Sequence, residues 1–266
     1  TRRFSGPQTA SRFGSAELSR SGSEFLYVDN GDGTISDEVT GLMWQQMPDL
    51  YSKLSYDDAL NGASGFSLAG YGDWRLPTIK ELYSLIDHRG SSMTLTPYID
   101  TTYFGFRWGE VGLGERVIDV QYWSSTEYVG RIFQGDEAVF GVNFGDGRIK
   151  GYPRFNGPGG IPTSFVRYVR GGEDYGENQF YDNGDGTITD LATGLMWSQA
   201  DSGAALIWED ALAWAEDLDF AGRDDWRLPS SKELQAIVEY ARAPDAISPG
   251  IVGSAIEPHI LMSVGE

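Results

Sequence analysis

The sequence contains no cysteine. That excludes disulfides, thiolate nucleophiles and Cys-ligated zinc together, and leaves the fold to be held by its core. Histidine is nearly as scarce, with only His88 and His259. Neither stands beside a nucleophile pattern, and there is no phosphate loop, dinucleotide fingerprint or His-rich metal motif. No enzyme is expected. Basic residues are few: 20 Lys and Arg face 39 Asp and Glu, a formal charge of −19. Such a field repels nucleic acid and anionic membrane and favours a cation or a basic partner, besides serving solubility. No apolar run is long enough to cross a bilayer, so no transmembrane segment is expected. No signal peptide is visible, and Thr1 in place of Met reads as a mature or fragmentary N-terminus.

What the chain does have is globular composition: 40% hydrophobic residues, 13% aromatics, and 35 glycines that imply many tight turns. It also repeats itself. Asp29-Asn30-Gly31-Asp32-Gly33-Thr34-Ile35 returns as Asp182-Asn183-Gly184-Asp185-Gly186-Thr187-Ile188, and Thr40-Gly41-Leu42-Met43-Trp44 as Thr193-Gly194-Leu195-Met196-Trp197, both 153 residues on. Asp73-Trp74-Arg75-Leu76-Pro77 returns 152 residues on as Asp225-Trp226-Arg227-Leu228-Pro229. Three ordered blocks at near-constant offset define tandem copies. At the 152 offset, Glu266 falls at the place of Gly114, whereas the first copy runs on to Arg170. The second copy is thus expected to lack its late segment.

Each copy opens with a short strand, Phe25 to Val28 or Gln179 to Tyr181. A Gly-rich acidic turn and a strand ending in Leu-Met-Trp follow. A first helix starts at N-cap Ser55 in copy one and spans about Trp208 to Leu218 in copy two. A second helix follows each Trp-Arg-Leu-Pro block, with capping-box pairs Thr78/Glu81 and Ser230/Glu233. In copy one alone come a strand at Tyr122 to Thr126 and a hairpin about Gly145-Asp146-Gly147. A closing strand, Phe165 to Arg170, alternates apolar and basic residues as a half-exposed strand would. Helices followed by a meander give an α+β order. The domain reading is a basic arm or linker at 1–21, a complete module at 22–170 and an incomplete one at 171–266. Residues 1–24 hold four arginines against Glu17 and Glu24.

Two features invite a ligand. The acidic turns offer Asp29, Asn30, Asp32 and Asp37, and again Asp182, Asn183, Asp185 and Asp190, as oxygen donors for calcium. Aligned as a calcium-binding loop on Gly33 and Ile35, however, the first ligand position falls on Val28, or Tyr181 in copy two. The alternative is a hairpin turn whose side chains bond nearby amides. The second feature, Tyr122-Trp123-Ser124-Ser125-Thr126-Glu127, occurs once, and aromatics beside hydroxyls suit sugar binding. The alternative is a buried core strand. The candidate ligand residues are Trp123, Glu127, Asn143, Asp146 and Arg148. The repeated Trp-Arg-Leu-Pro block reads as scaffold: Trp and Leu in the core, Arg paired to an acid, Pro fixing the helix entry.

The ordered blocks Asp-Asn-Gly-Asp-Gly-Thr, Thr-Gly-Leu-Met-Trp, Trp-Arg-Leu-Pro with Glu-Leu four residues on, Tyr-Trp-Ser-Ser and a final Val-Arg resemble a known family, the C-terminal domain of the Legionella collagen-like protein. The blocks span Asp29 to Arg170 and Asp182 to about Leu234. The resemblance implies two tandem C-type-lectin-like modules, in which two helices flank small sheets and the first and last strands pair. It also implies an extracellular or cell-surface location. The family's named protein is an adhesin for sulfated glycans. The formylglycine-generating enzyme, which shares that general fold, depends on cysteines this chain lacks. The chain departs from the pattern in its acidity and in its missing late strands. The expected function is non-enzymatic binding or adhesion to a glycan or protein at a surface, with calcium as the one candidate cofactor. The rival is a structural subunit of an extracellular filament or assembly, held by strand exchange between subunits with the basic arm as donor.

Overall fold

The computed structural model describes residues 25–132 and 135–242. The basic arm, His259 and the rest of 243–266 lie outside the described residues. The chain divides into two compact units, one built on Leu26–Asn178 and the other on Gln179–Ile237.

The first unit begins with three short strands, β1 (Tyr27–Asp29), β2 (Thr34–Asp37) and β3 (Leu42–Gln45), joined by tight turns. Two helices follow, α1 (Tyr56–Ala63) and α2 (Ile79–Ser84). Then come β4 (Gln121–Glu127), β5 (Ala138–Asn143), β6 (Arg148–Pro153) and the two-residue β7 (Val169–Arg170). They make two antiparallel sheets, ordered β1-β2-β3-β7 and β4-β5-β6. The second unit repeats the opening as β8 (Phe180–Asp182), β9 (Thr187–Asp190) and β10 (Leu195–Ser198). Helices α3 (Trp208–Glu216) and α4 (Ser231–Ala236) follow. Its sheet runs β10-β9-β8. The mixture of helices and small antiparallel sheets is α+β.

Local sequence explains the helix starts. Ser55 accepts a hydrogen bond from the Asp58 amide, and Asp57 and Asp58 sit in the positive first turn of α1. Thr78 with Glu81 and Ser230 with Glu233 close full capping boxes, as the spacing predicts. Helix α3 has Ile207 at its N-cap, which offers no side-chain cap, and it ends at Glu216 rather than Leu218.

The core of the first unit lies between its sheets and helices. Tyr56, Ala59, Ala63, Trp74, Leu76, Trp123, Val139, Val166 and Tyr168 form one buried cluster. The scaffold reading of Trp-Arg-Leu-Pro holds there. Trp74 and Leu76 are buried, and Arg75 makes a twofold pair with the fully buried Glu81 carboxylate, at 2.7 and 2.6 Å. The Arg75 and Glu81 side chains thus satisfy each other in a fork geometry that leaves few lone pairs unmet.

The closing strand corrects two expectations. Phe165 to Arg170 was expected to be half-exposed, yet Phe165, Val166, Arg167, Tyr168 and Val169 are all buried. The reason is that the segment runs through the middle of the unit. Val169 is in register with Trp44 of β3 and exchanges two 2.9 Å backbone hydrogen bonds with Arg75, so it is covered on both sides. The last strand also joins the first sheet through β3, leaving β1 at the edge; it does not pair with the first strand.

Among the described residues no helix is long and apolar enough to cross a membrane.

Candidate functional site

The acidic turns are built the same way twice. In the first, Asp29 accepts from the Gly31 amide at 2.8 Å and from the Gln46 amide side chain at 3.0 Å. Asp32 accepts from the Thr34 amide and hydroxyl, Asn30 spans Thr34 and Ser36, and buried Asp37 accepts from the Val39 amide. Gly31 and Gly33 sit at φ +73° and +89°, which a side chain would strain. In the second, Asp182 takes the Gly184 amide, Asn183 spans Thr187 and Thr189, and Asp185 takes the Thr187 amide and hydroxyl. Buried Asp190 takes the Gln179 and Ala192 amides and the Thr193 hydroxyl. The Thr187 hydroxyl holds the Asp185 carboxyl below the usual carboxylate range. Each carboxylate is thus committed to its own turn, and among the described residues no group of three or more His, Asp or Glu converges as a metal set.

The candidates around the late strands separate. Trp123 is a correction: its ring is fully buried, edge-on to Tyr56 and Tyr152, with its indole N–H donating to the Leu54 carbonyl at 2.9 Å. Tyr122, Trp123 and Ser124 are buried in succession, and Trp123 packs in the core with Tyr56 and Ala59 of α1, so no ring face is left for a sugar. Asn143 is buried too. Its amide donates to the Ile118 carbonyl and its oxygen accepts from the Gly145 amide, which shapes the β5–β6 turn. Asp146 is tied to Lys150 at 2.5 Å and accepts from the Arg148 amide. Arg148 is exposed.

Glu127 is the one candidate that the fold brings into a cluster. At the end of β4 its carboxylate lies 3.2 Å from the Arg154 guanidinium and 3.4 Å from the Tyr56 hydroxyl. The same guanidinium holds Asp57, at the start of α1, at 2.8 Å, and Glu137, just before β5, at 3.3 Å. It also lies over the Tyr56 and Phe155 rings, 5.1 Å from each centroid. Burial, with the neighbouring Glu127 charge, pushes the Tyr56 hydroxyl up to about 12. The three carboxylates keep 48%, 54% and 41% of their side chains exposed, and Phe155 stands 41% exposed beside them. Glu137 pairs in addition with Arg131 at 3.0 Å, so three carboxylates, two guanidinium groups and an aromatic ring meet here with their geometry held. Sequence reading missed Asp57, Glu137, Arg154 and Phe155. They are spread over about a hundred residues, and only the approach of α1 to the ends of β4, β5 and β6 unites them.

The second unit offers a different feature. In the first unit β7 fills the space between β3 and Arg75. In the second, β10 has no partner on its outer side among the described residues. A cavity of about 520 Å³ opens there, lined by Leu195, Met196, Trp197, Trp226, Arg227 and Leu228 among others. Trp208, at the place of Tyr56, is 62% exposed where Tyr56 is 2% exposed.

The sequence thus carries two α+β units of one design, and in the second no strand follows α4 among the described residues. The profile of the Lcl C-terminal domain family matches residues 33–170 and again 186–260, and the chain belongs to that family. No curated protein and no solved structure matches it.

Proposed function

We propose that this protein is a non-enzymatic binding module of a bacterial surface or secreted protein, its two units C-type-lectin-like, and that the complete module recognises a glycan or protein through the Arg154 patch. The patch is the observation that carries this reading. Carboxylates and a guanidinium with fixed spacing match the vicinal hydroxyls of a sugar, and a half-exposed ring such as Phe155 supports its apolar face. Glu137 also pairs with Arg131 at 3.0 Å, so three carboxylates and two arginines leave the patch with a net negative charge. It therefore suits a neutral, hydroxyl-rich glycan or a basic peptide better than a sulfated polymer. Membership of a family named for a collagen-like protein's C-terminal domain supports the extracellular setting. A glycan array probed with the full chain tests the reading. Selective signal on neutral glycans, reduced at least tenfold by Arg154→Ala, is the expected result. Binding unchanged by Arg154→Ala removes the patch from the account, and silence across glycans and basic peptides removes the ligand role.

A second reading, a structural subunit of an extracellular assembly, is favoured by β10, which has no partner on its outer side among the described residues. Unpaired strand edges recruit other strands. Size-exclusion and negative-stain imaging over a concentration series test it, and a monomer at every concentration counts against self-assembly.

A further inference from the structure

Arg148 is the one described arginine of the first unit whose guanidinium has no acceptor among the described residues. Every other one pairs with a carboxylate or, in the case of Arg167, with carbonyls. In a chain of formal charge −19, a cation left without an acid is the exception. It stands exposed at the start of β6, in register with Asn143. The acids nearby are already taken, Asp146 by Lys150 and Asp119 by Arg116 at 2.7 Å.

Two loops pack against the β5–β6 turn beside it. Residues 87–98 bring Tyr98, whose ring lies so close over Gly147 that a Cβ there would be 2.6 Å from it. The Tyr98 amide donates to the Phe144 carbonyl at 2.7 Å. Residues 105–119 bring Trp108, whose ring would lie 2.9 Å from a Cβ on Gly145. The Asn143 side chain ties this loop down through the Ile118 carbonyl at 2.7 Å. Both rings are partly exposed. Neither the Trp108 indole N–H nor the Tyr98 hydroxyl has a partner among the described residues, and neither atom is buried.

The same loops hold apolar side chains out in solvent. Met93 is 94% and Leu95 51% exposed on the first, Val111 67% and Leu113 72% on the second. Their backbones are fixed. Ser91 and Thr96 close the first loop with hydrogen bonds of 2.7 and 2.9 Å, and Leu95 is held at φ +54°. Under the second, Lys53 pairs with Glu115 at 2.6 Å, Arg107 pairs with Glu110 at 2.9 Å, and Glu115 accepts from the Glu110 amide at 2.8 Å. Ion pairs beneath and apolar residues outside reverse the order that solubility favours, as at a protein-binding surface.

We infer that this end of the first unit docks a protein segment that carries one carboxylate among apolar residues. The carboxylate pairs with the Arg148 guanidinium, and Trp108 and Tyr98 supply further donors. The flanking apolar residues cover the Met93–Leu95 and Val111–Leu113 loops. An isolated carboxylate fits where a polyanion does not, because the field of the chain repels repeated negative charge while one contact pair is local. Arg148 and Arg154 stand at opposite ends of β6, about 20 Å apart at the rise of a strand, so this surface is separate from the Arg154 patch.

Fluorescence anisotropy of short labelled peptides, blocked at both ends and titrated with the full chain, tests this. One peptide carries a single glutamate flanked by leucines, and its counterparts carry glutamine or lysine in that place. Labelled oligoglucuronate is titrated alongside. The glutamate peptide is expected to bind at least tenfold more tightly than the glutamine one. Arg148→Ala is expected to remove that margin with Tm unchanged, and Trp108→Phe, which keeps a ring but loses the N–H, to reduce it. Arg154→Ala is expected to leave it intact, so this surface and the Arg154 patch can fail separately. Equal binding of the glutamate and glutamine peptides, or a glutamate preference that survives Arg148→Ala, overturns the inference. Tighter binding of oligoglucuronate than of any peptide overturns it in favour of an acidic sugar, and silence from every probe overturns it outright.

Discussion

Arg167 shows how much one residue can decide. It is fully buried, and its guanidinium donates to the Gln45, Gln46 and Gly105 carbonyls at 2.5, 2.7 and 2.6 Å. The Phe104 and Tyr122 rings flank it at 5.1 and 5.8 Å, and it forms no ion pair among the described residues. Burial pushes its pKa down from the ordinary arginine value. Three carbonyl dipoles take the place of a counter-ion, and so the closing segment, the end of β3 and the Gly105 loop share one anchor. Arg167→Met keeps the volume but takes the buried donor from the Gln45 and Gly105 carbonyls, while the Gln46 carbonyl keeps the Gly105 amide, and is expected to cost roughly 3 kcal/mol in urea unfolding. At the acidic turns the balance is smaller. Asp32→Ala removes two bonds to Thr34 and is expected to cost about 1 kcal/mol, equally in chelator and in millimolar calcium. A calcium-dependent rise in Tm that Asp32→Ala abolishes would show instead that the turns hold metal.

At the scale of elements, the capping boxes are where sequence and structure agree most closely. Each is a local code, read within four residues and independent of the rest of the fold. In α4 the cap is tied to the repeated arginine. Arg227 pairs with Glu233 at 2.8 and 2.5 Å, and Glu233 also accepts from the Ser230 amide. The Arg227 pair first, and the cap second, hold the Glu233 carboxyl down to about 2, against 4.5 ordinarily. A depressed folded-state pKa stabilises above the unfolded value, and that stability is lost as pH falls from about 4.5 through about 2. Tryptophan fluorescence of the second module is therefore expected to report an acid transition in this window. Glu233→Gln, already lacking the charge, is expected to be less stable at pH 7 and to have a flatter acid profile. The closing strand is the contrary case. Its apolar–basic alternation suggested an exposed face, because periodicity cannot tell a solvated arginine from one buried against carbonyls.

The whole molecule is two copies of one plan with unequal cores. In the first unit Trp44, Leu42 and Ile35 are almost completely buried, whereas in the second Trp197 and Leu195 are only half-buried, and among its described apolar residues just Ile188 and Ala215 are buried. Stability follows the apolar area removed from water, and the described residues of the second unit bury less of it. Scanning calorimetry of the full chain is expected to show two transitions, the second module melting below the first. A single transition at all concentrations would mean that the second module draws its stability from elsewhere.

The sequence by itself determined whatever is encoded locally or by repetition: the tandem plan, the α+β order, the turns, the helix caps, the Arg75–Glu81 and Arg227–Glu233 pairs, and the family. Those features are set by neighbours a few residues apart, or by one pattern compared with itself. The tertiary structure alone decided what depends on distant segments meeting. It buried Trp123 and Asn143 under other elements and turned Arg167 inward. It gathered Asp57, Glu127, Glu137, Arg154 and Phe155 into one patch. Spacing along a chain carries no record of which faces will be covered, because burial is settled only when strands and helices far apart in sequence pack together.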